Sequence, residues 1–246
     1  MIGSPPRRPR LSIFFPCHDE EANVEEAVRA ALRVGPRVAD DFEVIVVDDG
    51  STDRTAEVSR RLAAEDARVR LVRHETNRGY GGALVTGIRA ARGDLVFWTD
   101  GDNQFDLDEL PAFLSELARA DVVIGYRIDR QDHWMRRLNG VLWSGLVRLL
   151  FRVRSRDVDC AFKVVPRRWL TDLPLASRGA MISTELLVRL GRRGARIVER
   201  GVRHRPRRFG EASGAKLAVI VRAFGELFRL YGELTHRGGG NPGGGS

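Results

Sequence analysis

Cysteine is almost missing: Cys17 and Cys160 are the only two in 246 residues, too few for a disulfide framework, and neither belongs to a CxxC pair or a His/Cys cluster. Five histidines without metal spacing give no argument for zinc either. No apolar run approaches the ~18 residues that would span a bilayer. The basic, proline-rich start from Met1 to Arg10 lacks the apolar stretch of a secretion signal. These absences point to a reducing cytoplasm, with the chain soluble or held peripherally at the cytoplasmic face of a membrane. No repeat of 20 to 50 residues is present, which argues against solenoids and propellers. Lysine is scarce beside arginine, and no recognised RNA- or DNA-binding signature accompanies the basic excess, so nucleic acid is not the expected partner.

What is present suffices for one large α/β domain. Hydrophobic residues make up 43% and charged residues 30%, enough apolar surface for a real core. Lys and Arg outnumber Asp and Glu by 41 to 33, a net charge of +8, which suits phosphate-bearing ligands or an anionic surface. Apolar strands at 11–16, 42–47, 69–73, 94–98 and 121–125 alternate with helical spacing at 20–32, 55–64, 81–91 and 107–118. That alternation predicts a mostly parallel sheet with helices packed on it, and ligands at the carboxyl ends of the strands. The second half is less regular, with further strands expected at 158–165 and 197–202 and amphipathic helices at 138–151 and 216–234. The expected organisation is a flexible N-terminus at 1–10, one domain over 11–236 and a Gly-rich disordered tail at 237–246.

Three apolar strands run into carboxylates: Cys17-His18-Asp19-Glu20, Asp48-Asp49-Gly50-Ser51 and Asp100-Gly101-Asp102-Asn103-Gln104. In a parallel sheet these loops share one edge, where gathered carboxylates repel unless a cation or a donor-rich ligand compensates. Asp100 and Asp102, at i and i+2, can turn toward one divalent cation, and Gln104 adds a neutral oxygen, a set that suits Mg2+ or Mn2+. Taken singly, each loop is equally well a helix cap or a turn.

The segments FFPCHDEEANVEEAV, VIVVDDGSTDRT, NRGYGGALVTGIRAARGDLVFWTDGDNQF and DVVIGYR, in this order, resemble family 2 glycosyltransferases of GT-A (Rossmann-like) fold. DVDCAFKVVPR, ISTELLVRLGRRGARIVERGV and HRPRRFGEASG resemble later segments of the dolichol-phosphate mannosyltransferase-like, polyprenyl-phosphate-using branch. The resemblance implies that Pro16, Asp19 and Glu20 line a nucleotide pocket and that Asp48 and Asp49 contact nucleobase and ribose. Asp100-Gly101-Asp102 would be the DxD motif, with Gln104 in the metal shell and Asp102 at the catalytic centre. Gly79, Gly81 and Gly82 lack Cβ atoms and so permit close backbone approach. Arg127, Arg136 and Arg137 match phosphate-binding arginines. Asp157 falls where the family has an acidic residue near the acceptor, with Asp159 two residues on; pairing of these to Arg154 or Arg156 is the structural alternative. His204, Arg207, Gly210 and Ser213 match a loop that closes over the diphosphate and acceptor. Cys17-His18-Asp19 departs from the small or aromatic residue followed by Tyr-Asn or Tyr-Asp that the family usually has.

The expected activity is inverting transfer of a sugar from a UDP- or GDP-sugar to a polyprenyl phosphate. The alternatives are a soluble hydroxyl or glycan acceptor with Asp157 or Asp159 as base, and a nucleotide-sugar-binding or scaffolding subunit without turnover. Trp134, Trp143 and the leucines of 138–151, bounded by Arg136, Arg137, Arg148 and Arg152, form an interfacial helix pattern. The same stripes serve equally for core packing or a homodimer.

Overall fold

A computed structural model describes residues 9–128, 134–151, 153, 155–207, 209 and 217–236, without the side chains of 134–141, 217–223 and 234–236. The strands are β1 (Leu11–Cys17), β2 (Phe42–Asp48), β3 (Val69–Arg73), β4 (Leu95–Trp98), β5 (Val122–Ile128), β6 (Lys163–Pro166) and β7 (Ile197–Arg203). They form one sheet in the order β3-β2-β1-β4-β6-β5-β7. All pairings are parallel except those of β6, which runs antiparallel to β4 and β5. This is the mostly parallel α/β sheet of the GT-A class.

The helices are α1 (Val24–Val38), α2 (Thr55–Glu65), α3 (Tyr80–Ala90), α4 (Leu110–Glu116), α5 (Trp134–Phe151), α6 (Arg167–Leu170), α7 (Met181–Arg192) and α8 (Leu217–His236). Every residue of β1 is buried because helices cover both faces of the sheet. Ile13, Phe15, Val44, Val46 and Phe97 meet Val28, Ala31, Leu62 and Phe113 in one apolar layer. Phe14, Ile45, Val47, Trp98 and Ile124 meet Leu84, Leu186, Leu187 and Leu227 in the other.

The parallel strands match the expected segments to within a few residues, since a strand buried on both faces is a continuous apolar run. Elsewhere the structure corrects the expectation. Helix α1 begins at Val24 rather than residue 20, because the Glu20 carbonyl accepts from both Asn23 and Val24 N–H, each at 2.9 Å, to make a tight turn. Of the expected 158–165 strand only 163–165 is a strand, within β6 (Lys163–Pro166). The apolar residues Val158, Cys160, Ala161 and Phe162 are fully buried in a loop instead. Helix α7 was not anticipated: it is buried nearly all round, with its polar Glu185 buried and paired to Arg189. Among the described residues, no helix is long and apolar enough to cross a membrane.

Candidate active site

Register sets the site. Cys17 pairs with Asp48 and Asp48 with Arg73, so β1, β2 and β3 end level. The Thr99 N–H donates to the Phe14 carbonyl at 3.4 Å, which brings the loop after β4 up beside the β1 tip. The three acidic loops therefore do share one edge.

At the β1 tip, Asp19 takes a positive φ of 55°. Its Oδ1 accepts the Thr52 N–H at 2.8 Å and the Asp53 N–H at 3.4 Å, stitching this loop to the one after β2. Burial pushes the Asp19 carboxyl upward, but these backbone donors and the neighbouring His18 outweigh it and hold it below the ordinary range. Glu20 is buried; Asn23 Nδ2 donates to its Oε2 at 2.6 Å and Arg207 to its Oε1. Burial, with repulsion from Asp102, still raises it above the usual value against those two donors. Pro16 is buried in β1.

At the β2 tip the expected ligand-contacting pair is committed to the protein. Asp48 is fully buried, accepting the Ser51 N–H at 3.0 Å on Oδ1 with Arg73 Nε 3.0 Å from Oδ2. Asp49, 3% exposed, accepts the Arg78 N–H at 2.8 Å on Oδ1, with His74 Nδ1 at 2.6 Å from the same oxygen. Asp48 and Asp49 thus shape the loops of this corner rather than present open carboxylates. Gly79 (φ 82°) and Gly81 pass under the 177–178 backbone, where a Cβ on Gly79 would lie 2.6 Å from the Arg178 carbonyl oxygen. Their close approach is to protein rather than to an exposed ligand face.

The loop after β4 is the acidic centre. Burial and repulsion from Asp102 push Asp100 up to about 7, even though a hydrogen bond from the Tyr80 hydroxyl and the charges of Arg127 and Lys163 act against this. Two carboxylates that resist ionising together are a site asking for a cation. Asp102 is 7% exposed, with Gln104 N–H 3.2 Å from its Oδ1. Gln104 Nε2 donates to the Arg205 carbonyl at 2.9 Å and the Gln104 carbonyl accepts the Arg205 N–H at 2.8 Å, fastening this loop to the segment after β7. Arg207 reaches across that seam, pairing with Glu20 and lying 3.6 Å from Asp102 Oδ2. His204 packs edge-on against Phe105. No cluster of three or more His, Cys, Asp or Glu residues suited to a metal ion is found among the described residues. A cation on Asp100 and Asp102 would need Gln104 or oxygens of a ligand to complete its shell, and Mg2+ is commonly held that way, by one or two carboxylates plus phosphates.

Beside this centre, Arg127 grips Asp157 in a bidentate pair, Nε to Oδ2 and Nη2 to Oδ1, each at 2.7 Å. Of the two arginines expected for this pairing, Arg154 lies outside the described residues, and Arg156 approaches Glu199 at 3.9 Å and stacks over Tyr126. Sequence reasoning missed three members of the site. Tyr80 binds Asp100. Lys163, 1% exposed, donates from Nζ to the carbonyls of Val158 and Cys160, with Asp159, Asp157 and Asp100 close enough to counter the downward push of its burial. His74 bonds Asp49. One signal was available for Lys163: it is one of two lysines in an arginine-rich chain, set inside an apolar run. The side chains of Arg136 and Arg137, and Gly210 and Ser213, lie outside the described residues.

The mostly parallel sheet with acidic loops at its carboxyl edge is that of the GT-A fold class. Residues 12–168 match the family described as Glycosyl transferase family 2, and the chain belongs to that family. It is 32% identical over 241 residues to glycosyltransferase AglD of Haloferax volcanii, covering 92% of this chain and 38% of that protein. It is 31% identical over 218 residues to the undecaprenyl-phosphate 4-deoxy-4-formamido-L-arabinose transferase of Pseudomonas fluorescens, covering 87% of this chain and 62% of that protein. The chain thus spans less than two thirds of the length of either relative. In fold it is similar to glucosyl-3-phosphoglycerate synthase from Mycobacterium tuberculosis, solved with Mn2+, UDP and phosphoglyceric acid. That TM-score is 0.70 at 23% identity, over 91% of this chain and 79% of the other.

Proposed function

We propose that this chain is an inverting, divalent-metal-dependent glycosyltransferase that moves a sugar from a nucleoside-diphosphate sugar to a polyprenyl phosphate. The observation that carries the proposal is the meeting of Asp100 and Asp102 with Glu20 and Arg207 at the carboxyl edge of the sheet, where the two DxD carboxylates oppose each other's ionisation. Asp100 and Asp102 would hold Mg2+ or Mn2+, with Gln104 beside them. Bound there, the cation supplies charge stabilisation to the departing diphosphate. The donor's nucleoside belongs in the corner formed by Pro16, Asp19, Glu20 and the loops that Asp48, Asp49, Gly79, Gly81 and Gly101 shape. Arg207, already within reach of Asp102, is placed to exchange a carboxylate partner for a diphosphate oxygen, a fork-to-oxygen contact that guanidinium makes well. Arg136 and Arg137 remain proposed acceptor-phosphate ligands.

The Arg127–Asp157 pair supports the choice of acceptor. A carboxylate held bidentately by a largely buried guanidinium is a poor proton acceptor, which disfavours Asp157 as the base that a hydroxyl acceptor requires. A phosphate acceptor is already ionised and needs no base. The relative named as an undecaprenyl-phosphate transferase supports this choice; the fold neighbour solved with phosphoglyceric acid keeps a soluble acceptor as the second reading.

The exposed apolar residues of α5 and α8, with basic Arg148 and Arg229 alongside, support peripheral contact with a membrane surface. A homodimer would use the same face. The domain proposed is residues 11–236. The functional test is transfer of radiolabelled sugar from UDP-glucose, UDP-N-acetylglucosamine or GDP-mannose to a short polyprenyl phosphate with Mn2+. An organic-extractable, mild-acid-labile product that Asp102→Ala abolishes is expected, whereas label confined to aqueous glycan overturns the lipid acceptor.

A further inference from the structure

His74 centres a buried polar cluster that the proposed transfer does not use. His74, at the end of β3 and 4% exposed, is bonded at both ring nitrogens: Nδ1 lies 2.6 Å from Asp49 Oδ1 and Nε2 lies 2.9 Å from Thr86 Oγ1 on α3. Its backbone N–H donates to the Asp48 carbonyl at 2.9 Å. One imidazole therefore ties the ends of β2 and β3 to a helix. Asp49 Oδ1 also accepts the Arg78 N–H at 2.8 Å, so this oxygen is an acceptor and His74 Nδ1 carries the hydrogen. Both donors fall on Oδ1, so the imidazole and the Arg78 backbone hold the Asp49 carboxylate, and with it the turn after β2, in one setting.

The cluster is also tied to the loops of the proposed nucleoside corner. The Asp49 carbonyl lies 3.1 Å from His18 Nδ1, and Asn77 Oδ1 accepts the Gly79 N–H at 2.8 Å just beyond Arg78. Gly50, at φ 70°, lies against the 76–77 backbone so closely that a Cβ would stand 2.7 Å from Asn77 N. The loops after β2 and β3 thus have no room to slide independently, and the His74–Asp49 contact is one of the ties between them.

We infer that His74 is a positioning residue for donor binding: through its Nδ1 it holds the Asp49 carboxylate, and through that carboxylate it sets the loops after β2 and β3 that form the nucleoside side of the site. The inference rests on the donor-site placement in the proposed function. It assigns His74 to the binding of the nucleotide and not to the transfer step, because both ring nitrogens are taken by Asp49 and Thr86.

Two substitutions separate this role from simple core filling. Asn places an amide N–H near the position of Nδ1, and Gln places one near Nε2; both keep a polar side chain of similar bulk. Calorimetric titration of the full chain with UDP and with GDP, each with Mn2+, gives the nucleotide affinity, and saturation kinetics give kcat and donor KM. His74→Asn is expected to bind within threefold of the unsubstituted protein. His74→Gln is expected to lose at least tenfold in nucleotide affinity and in donor KM, with kcat at saturating donor within threefold. Equal affinities for the two variants, or a kcat that falls in step with affinity, overturn the inference while leaving the donor site intact. An unsubstituted protein that binds neither nucleotide overturns the donor-site placement itself, and the inference with it.

Discussion

Asp100 carries the clearest electrostatic signature of any single residue. Its ordinary value of 3.8 rises to about 7 through burial first and Asp102 second. The folded chain therefore keeps a proton that the unfolded chain releases between about pH 4 and pH 7, so this residue's contribution to stability falls as pH rises through that window. Asp100→Asn is expected to raise the metal-free melting temperature at pH 8 but not at pH 4, by an amount equivalent to about 1–2 kcal/mol, while abolishing transfer. Mn2+ should raise the melting temperature of the unsubstituted protein at pH 8 and leave that of the variant unmoved. A variant melting lower than its parent at pH 8 would count against a strained carboxylate pair. The acidic residues of this site were legible in the sequence because carboxylates directly after apolar strands have few places to go in a parallel sheet. What was not legible was their partners. Asp157 finds Arg127 and Asp49 finds His74 across separations of 30 and 25 residues, and nothing in local spacing encodes such pairings.

Elements differ in how openly the sequence declares them. The parallel strands are apolar runs, and α1 shows its buried face as Val24, Ala27, Val28, Ala31 and Val34. Helix α7 hides because residues on every side of it are buried, including Glu185, whose Oε1 is paired to Arg189 and whose Oε2 accepts the Ser177 N–H at 2.7 Å. Burial alone does not make a strand, as the 158–162 loop shows; those residues are held inside by the Lys163 ammonium on their carbonyls. Close packing between α3 and β1 supplies the test at this scale. Gly87 faces the Phe14 ring, where an added Cβ would overlap ring carbons, and Phe14 is itself stacked on Trp98 at 5.6 Å. Gly87→Val should cost about 1–3 kcal/mol by overpacking, read as a lowered urea midpoint. An unchanged midpoint would mean that α3 can lift off the sheet without penalty.

Across the whole molecule, apolar surface is unevenly spent. Helices α5 and α8 pack through Trp143 against Phe224 and Phe151 against Tyr231. They still leave Leu149 79% and Phe228 66% exposed. With a net charge of +8, such a face suits an anionic bilayer, where each basic residue near the surface adds ~1 kcal/mol. The chain is expected to co-sediment with vesicles containing phosphatidylglycerol and to be released by raised salt. Leu149→Asp with Phe228→Asp should remove most of the binding without lowering metal-dependent nucleotide affinity. Binding that survives both changes would place the contact elsewhere.

The lone reversed strand has a consequence for how this architecture diversifies. Because β6 runs against β5, with Ile124 beside Lys163, the polypeptide departs from and re-enters the sheet at the same rim. Everything between Ile128 and Lys163 is a detour hung from two adjacent staves. Such a detour can change in length with no strand shifting its neighbours, provided that the buried residues Val158, Cys160 and Phe162 keep their places in the core.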